Sequence, residues 1–215
     1  MPKLPRSQKD TESIKTRILE AALEIIYKEG FKYLSMRKLA DKTSMTAANL
    51  YNFFSNKDEI YLAIQTHGFI ELYEKYTAIN QEFSFPAEKL REFMKAYLRF
   101  GFENSDLYEI MFTRNTPKYA DYVGTELENV AFIEKEAAMK SADIATAIIA
   151  EIQQQNSSIS DLDARNQMIL IWTTLHGFVS LHNSRVLQEV DDDIETLIQQ
   201  TVKSLMRPFQ SDAKN

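Results

Sequence analysis

The chain has 215 residues, 44% of them hydrophobic and 26% charged, enough for one or two domains with real cores. It has no Cys, which excludes disulfides and thiolate metal sites, and its three His leave little for a His-based one. The net charge of −6 argues against a nucleic-acid partner, yet residues 1–57 hold 11 Lys+Arg against 6 Asp+Glu (+5) and the remainder 14 against 25 (−11). Such asymmetry points to a basic nucleic-acid module joined to an acidic domain with another task.

Residues 1–9, with Lys3, Arg6, Lys9 and two prolines, read either as a basic arm that adds phosphate affinity or as a solvated tail. The polar opening MPKLPRSQKDTES has no apolar central stretch, so no secretory leader is expected. No apolar run approaches the length of a membrane span, and a cytoplasmic protein without membrane contact is the expectation. From about Thr11 to Glu29, Ile14, Ile18, Ala22 and Ile25 or Ile26 recur at helical spacing, and Gly30 is a natural C-terminal cap. Lys15 and Arg17 near the start of that helix can reach a DNA backbone or simply face solvent.

The stretch SMRKLADKTSMTAANLYNFFSNK, 35–57, reads as two short helices, a tight turn, and the capped start of a third. Ser35 caps the first, with Leu39 and Ala40 facing inward. Thr43, Ser44 and Met45 make the break. Thr46 caps the second, whose Leu50 and Phe54 lie four apart on one face. This is a helix-turn-helix with its core at 35–54, and in that motif the second helix enters the DNA major groove.

The run TAANLYNFFSNKDEI, preceded by a helix ending at Gly30-Phe31, resembles the DNA-binding domain of the TetR family of bacterial repressors. The match rests on a capped reading helix, Leu50-Tyr51, an aromatic pair and Lys57 at the next helix start. The family usually has Gly where Ser44 stands, so either Ser44 takes a left-handed or otherwise strained conformation or the turn differs slightly. Phe53 stands where the family commonly has a residue that touches the DNA backbone.

Asn56 to about Asn80 is the next helix, with Asp58 and Glu59 at its positive end. In the family the equivalent helix joins the DNA-binding and C-terminal domains. Gly68 in its middle is either a weak point that aids its movement or a site of close packing. Pro86 starts another helix, with Leu90, Phe93, Met94, Tyr97, Leu98 and Phe100 inside, and DLYEIMF makes a short one after Asn104-Ser105. The stretch AYLRFGFENSDLYEIMF resembles a TetR subgroup named for a Trp-His-Gly signature, matched by Trp172, His176 and Gly177. That subgroup usually has Ala at Gly101 and Pro at Ser105. A long helix over about 126–155 carries a stripe of Val130, Ile133, Ala137, Ile144, Ile148 and Ile152. NSSIS is a linker, and Ser160 with Asp163 approximates a capping box. MILIWTTLHGFVSLHNSRVL is apolar almost all round, the pattern of a helix buried on every side. The last helix follows DDDIE and puts Ile194, Leu197 or Ile198, Leu205 and Phe209 on one face.

The fold class is therefore all-α: an N-terminal three-helix helix-turn-helix domain with the arm (1–57) and a C-terminal helical-bundle domain for ligand binding and dimerisation (58–215). The expected DNA contacts sort into positioning and reading groups. Ser35, Arg37, Thr46, Tyr51 and Lys57 hold phosphates, and Phe53 takes the family's backbone-touching position without its hydrogen bond. Ala47 and Ala48 approach thymine methyls, and Asn52 makes paired hydrogen bonds with adenine. A dimer through the two C-terminal helices is the usual family arrangement, and its symmetry demands a near-palindromic double-stranded operator. Phe93, Tyr97, Phe100, Met111, Phe132, Trp172 and His176 are the candidate lining of a site for a small hydrophobic or aromatic effector. A ligand-responsive repressor is the main reading. A DNA-bound structural or protein-recruiting factor without an effector is the alternative. No nucleophile–base pair, phosphate loop or metal constellation stands in the sequence, so neither an enzyme nor a cofactor is expected.

Overall fold

The computed structural model of the chain describes residues 8–155 and 163–209. Lys3 and Arg6 of the basic arm, the linker 156–160 and the Ser160 cap lie outside the described residues. Among those residues there are ten α-helices and no strand, so the chain is all-α as its periodicity requires. They form two compact units. Residues up to Gly68 with Glu109–Lys135 make the first; Phe69–Tyr108 with the described residues from Glu136 onward make the second.

In the first unit α1 (Gln8–Glu29) buries Ile18, Ala22, Ile25 and Ile26, one stripe at three-to-four spacing. Gly30 ends it at φ +94, its N–H bonded to the Ile26 carbonyl at 2.8 Å. After a 3-10 turn come α2 (Met36–Lys42), α3 (Ala47–Tyr51) and α4 (Lys57–Glu82). Asn56 caps α4 by accepting from Glu59 N–H at 3.0 Å, and the Glu59 carboxylate accepts from the Ser55 N–H and hydroxyl at 2.6 and 2.8 Å. Asn56 thus satisfies one orphaned donor of the helix start, and Glu59 ties the preceding Ser55 to the first turn. Leu39, Leu50, Phe54, Ile60 and Ile64 are all buried in this unit.

The second unit is built on α5 (Pro86–Glu103), which begins with proline and ends at Asn104; α6 (Ser105–Tyr108) follows it directly. The six apolar residues expected inside α5 are all buried. Between α6 and the next long helix run a π-helical turn, Glu109–Thr113, and α7 (Tyr119–Tyr122), both in the first unit. There Gln65, 2% exposed, donates to the Ile110 carbonyl at 3.0 Å and the Thr116 hydroxyl at 3.4 Å, a buried amide that the irregular turn satisfies.

α8 (Glu128–Gln155) begins in the first unit, where Leu127 and Ala131 cluster with Leu62 and Tyr122. Ile133, expected in the inner stripe, is 57% exposed. At about 100° per residue it stands some 200° around from Ala131, and the first unit's core lies on the Ala131 side. Farther along, Ala137, Ile148, Ile149 and Ile152 are buried.

α9 (Ala164–Asn183) starts on Asp163, whose carboxylate accepts from Asn166 N–H at 2.9 Å. It and α10 (Ile194–Met206), capped by Asp193, pack against α5. Within one chain α9 buries Gln167, Ile171, Leu175 and Val179 at a spacing of four. Its other side leaves Ile169, Leu170 and Leu181 40–49% exposed, so the helix is covered on one side only.

α5 and α9 meet closely at Gly101. A β-carbon there would stand 2.5 and 2.9 Å from the two γ-methyls of Val179, a stiff side chain with no exposure, and Asn183 donates its amide to the Gly101 carbonyl at 3.0 Å. The alanine usual in the subgroup that the stretch resembles does not fit here without a shift. Gly101→Ala is expected to destabilise the protein by about 1–3 kcal/mol through overpacking, read as a lower urea midpoint at unchanged slope.

Candidate nucleic-acid interface

Ser35 is extended (φ −145) and its hydroxyl accepts from Lys38 N–H at 3.2 Å. Thr46 repeats the arrangement, accepting from Asn49 N–H at 3.1 Å. Each hydroxyl satisfies one orphan donor of its helix while keeping a proton that a phosphate oxygen can accept.

Between them α2 ends in a Schellman motif: Met45 N–H reaches the Ala40 carbonyl at 2.9 Å and Ser44 N–H the Asp41 carbonyl at 3.2 Å. The motif requires a left-handed residue at 44, and Ser44 has φ +55, as its place in the turn implied. The buried Thr43 hydroxyl donates to the Leu39 carbonyl at 2.8 Å. Ser44→Gly is expected to stabilise the protein by about 0.5–1 kcal/mol by removing the β-carbon penalty, seen as a raised melting temperature.

α3 is held by Leu50, which has no exposure, and presents Thr46, Ala47, Ala48, Tyr51 and Asn52 outward. Tyr51 is 51% exposed. Asn52 ends the helix, its N–H bonded to the Asn49 and Leu50 carbonyls, so its side-chain amide is not needed to close the turn. Asn49, half-buried, lies three residues before Asn52 and hence near the same face; that spacing was the signal for a second amide, and the sequence reading passed over it. Arg37 is exposed on α2.

One expected contact is placed differently. Phe53 is 6% exposed: the helix stops at Tyr51, Phe53 and Phe54 N–H both turn back to the Leu50 carbonyl, and both rings go inward. Phe53 therefore belongs to the unit's core and not to the outward face. Lys57 opens α4 with its ammonium 5.1 Å from the centre of the Tyr61 ring, and partial burial lowers its pKa from the usual lysine value. The neighbouring helix-start charges are Asp58 and Glu59.

Of the candidate effector residues, Met111 and Phe132 belong to the first unit. Met111 is buried and Phe132 is 46% exposed, its ring 5.9 Å from that of Tyr119. The other five are in the second. Phe93 stacks on Tyr76 at 4.2 Å, 3° from parallel, and Phe100 has no exposure. Trp172, Tyr97 and His176 are joined through Tyr108. The Trp172 indole N–H donates to the Tyr97 hydroxyl at 2.9 Å, the two tyrosine hydroxyls are 2.8 Å apart, and Tyr108 stands 2.7 Å from His176 Nδ1.

The indole can only donate, whereas each phenol hydroxyl has one proton and two acceptor lone pairs, so Tyr97 accepts from Trp172 and shares one further hydrogen bond with Tyr108. Where Tyr108 donates to His176 Nδ1, the imidazole is neutral with its proton on Nε2. Burial raises the pKa of both phenols, keeping them donors, and lowers that of His176. A depressed histidine pKa means that the unfolded chain binds the extra proton first. Stability is therefore expected to be constant above the usual histidine pKa, about 6.5, and to fall as the pH drops through the lower folded value. Urea midpoints at pH 7.5 and 5.0 test this, and His176→Gln should remove the histidine's share of the difference.

Residues 18–64 match the family model for bacterial regulatory proteins of the tetR family, and residues 90–205 match that of a tetracyclin repressor-like C-terminal domain. A curated HTH-type transcriptional regulator of Saccharopolyspora erythraea is 40% identical over 58 residues, which are 26% of this chain and 25% of that one. A protein of unknown function from Rhodococcus has a similar structure (TM-score 0.75, 20% identity, 96% of this chain and 97% of that one covered). The fatty acid degradation regulator FadR of Bacillus halodurans follows at 0.66, with 16% identity and 99% and 100% covered. FadR of Bacillus subtilis, solved with stearoyl-CoA, follows at 0.68, with 18% identity and 88% and 96% covered.

Proposed function

The chain belongs to the TetR family of bacterial regulatory proteins, and from that premise we propose that it is a sequence-specific DNA-binding transcriptional regulator that acts as a homodimer on a near-palindromic operator. The observation that carries this is the outward face of α3. Small and amide side chains project from a helix pinned from behind by Leu50 and capped at its start by Thr46, the form that fits a major groove. Ser35, Arg37, Thr46, Tyr51 and Lys57 position the duplex, and Ala47, Ala48 and Asn52 read it. Regulation takes place where the chromosome is, in the cytoplasm, and repression is its direction.

The second copy has a face to occupy. Leu170 and Leu181 are exposed on α9, and Gly177 stands in the middle of that helix. A β-carbon at Gly177 would meet nothing within 4 Å, so nothing in its own chain calls for a residue that costs a helix about 1 kcal/mol. A partner helix approaching closely along this side supplies the reason. A two-fold dimer reads two half-sites about 34–36 Å apart or a multiple of it.

An effector contacting Tyr97, Trp172 or His176 has to compete with the bonds these residues already make. Such competition is a means by which a hydrophobic or aromatic ligand shifts the population away from DNA binding. Selection of bound sequences from random DNA tests the function: enrichment of a palindrome is expected, and failure to enrich any site would overturn the reading.

A further inference from the structure

α5 and α10 leave between them a cleft of about 210 Å³, lined by Arg91, Lys95, Gln199, Val202, Lys203 and Met206. Three cations converge here in a chain whose residues beyond 57 carry a net −11. Like charges held together raise the free energy of the fold unless an anion answers them. Among the described residues Lys95 is answered, by the Glu92 carboxylate at 2.7 Å. Glu195, one turn before Gln199, accepts from its amide at 3.3 Å. Arg91 and Lys203 form no ion pair among the described residues. The floor is apolar and packed, with Val202 and Met206 only 2% and 1% exposed.

We infer that this cleft is a binding site for a small amphipathic oxyanion. Its carboxylate or phosphate head lies between the Arg91 guanidinium and the Lys203 ammonium, and its short apolar part lies along the aliphatic stems of Lys95 and Lys203, above the packed floor of Val202 and Met206. The guanidinium offers two parallel donors that match an oxyanion edge, and the ammonium adds a third from the opposite helix. The cleft leaves room beside an inorganic head for a short apolar part. Binding would brace α10 against α5 and requires neither the DNA face nor the hydrogen-bonded aromatic chain.

The test uses the full-length protein with ¹³C-labelled methionine methyls, titrated separately with octanoate, octyl phosphate, inorganic phosphate and 1-octanol. Octanoate or octyl phosphate should shift the Met206 methyl saturably, and the tighter of the two identifies the head group. The double variant Arg91→Gln/Lys203→Gln, both at cleft-lining side chains that the core does not need, should weaken that binding about tenfold or more. Lys203→Gln alone serves if the double variant melts early. Absence of a saturable Met206 shift overturns the site. Equal affinity in wild type and variant, or equal shifts from inorganic phosphate or 1-octanol, overturns the amphipathic recognition.

Discussion

Asn52→Ala is expected to erase the preference for one base pair in each half of the operator while leaving the protein as stable as before. Asn52 ends α3 through its backbone, and its exposed amide closes no turn. A paired hydrogen bond from an amide to adenine is worth about 1–3 kcal/mol of discrimination. A two-fold dimer makes the contact twice, so the difference between operator and random DNA should shrink by about 2–6 kcal/mol. Lys57→Ala should behave differently. On the phosphate-positioning role proposed for Lys57, its loss should weaken all sequences alike and lower the salt dependence of binding by about one counterion per subunit. Titrations of both variants on operator and scrambled duplexes at two salt concentrations separate the roles. Equal losses on the two duplexes for Asn52→Ala would refute its reading role.

Phe93→Ala should lower stability by about 3–5 kcal/mol, the usual range for a fully buried phenylalanine. Of a typical reserve of about 5–15 kcal/mol that is a large share. The ring is 2% exposed and lies flat on Tyr76 at 4.2 Å, so truncation removes a stacked partner and leaves a cavity. In a chain of this size the melting temperature should drop by roughly 6–20 °C. A phenylalanine lining an open effector space would behave otherwise, because a space already open gains little void. A loss below about 1 kcal/mol in a urea titration would move Phe93 from the core to the pocket.

Local chemistry made most of the helix-turn-helix legible. Ser35 and Thr46 cap because a hydroxyl at a helix start has orphan N–H groups within reach. Ser44 is left-handed because the Schellman motif demands it there whatever residue is present. Leu39, Leu50 and Phe54 go inward because their spacing leaves them one face. Phe53 was not legible, because its direction depends on α3 stopping at Tyr51 and on how sharply the chain then turns. Ile133 misled for a related reason: a helical stripe says which residues share a side, not where along the helix a core is there to cover it.

By itself, then, the sequence determined the all-helical class, the capped reading helix, the basic and acidic halves, and the family. All of these follow from residues within a few positions of one another or from sums over a segment. Only the tertiary structure decided that Trp172, Tyr97, Tyr108 and His176 form one hydrogen-bond chain. It also decided that Gly101 is where α9 presses on α5, and that Arg91 and Lys203 share a cleft. Apart from Tyr97–Tyr108, 11 residues apart, those pairings span from 68 to 112 residues. Spacing along a chain carries no information about which helix faces will meet; packing selects them, through the volumes and unsatisfied donors that each face brings.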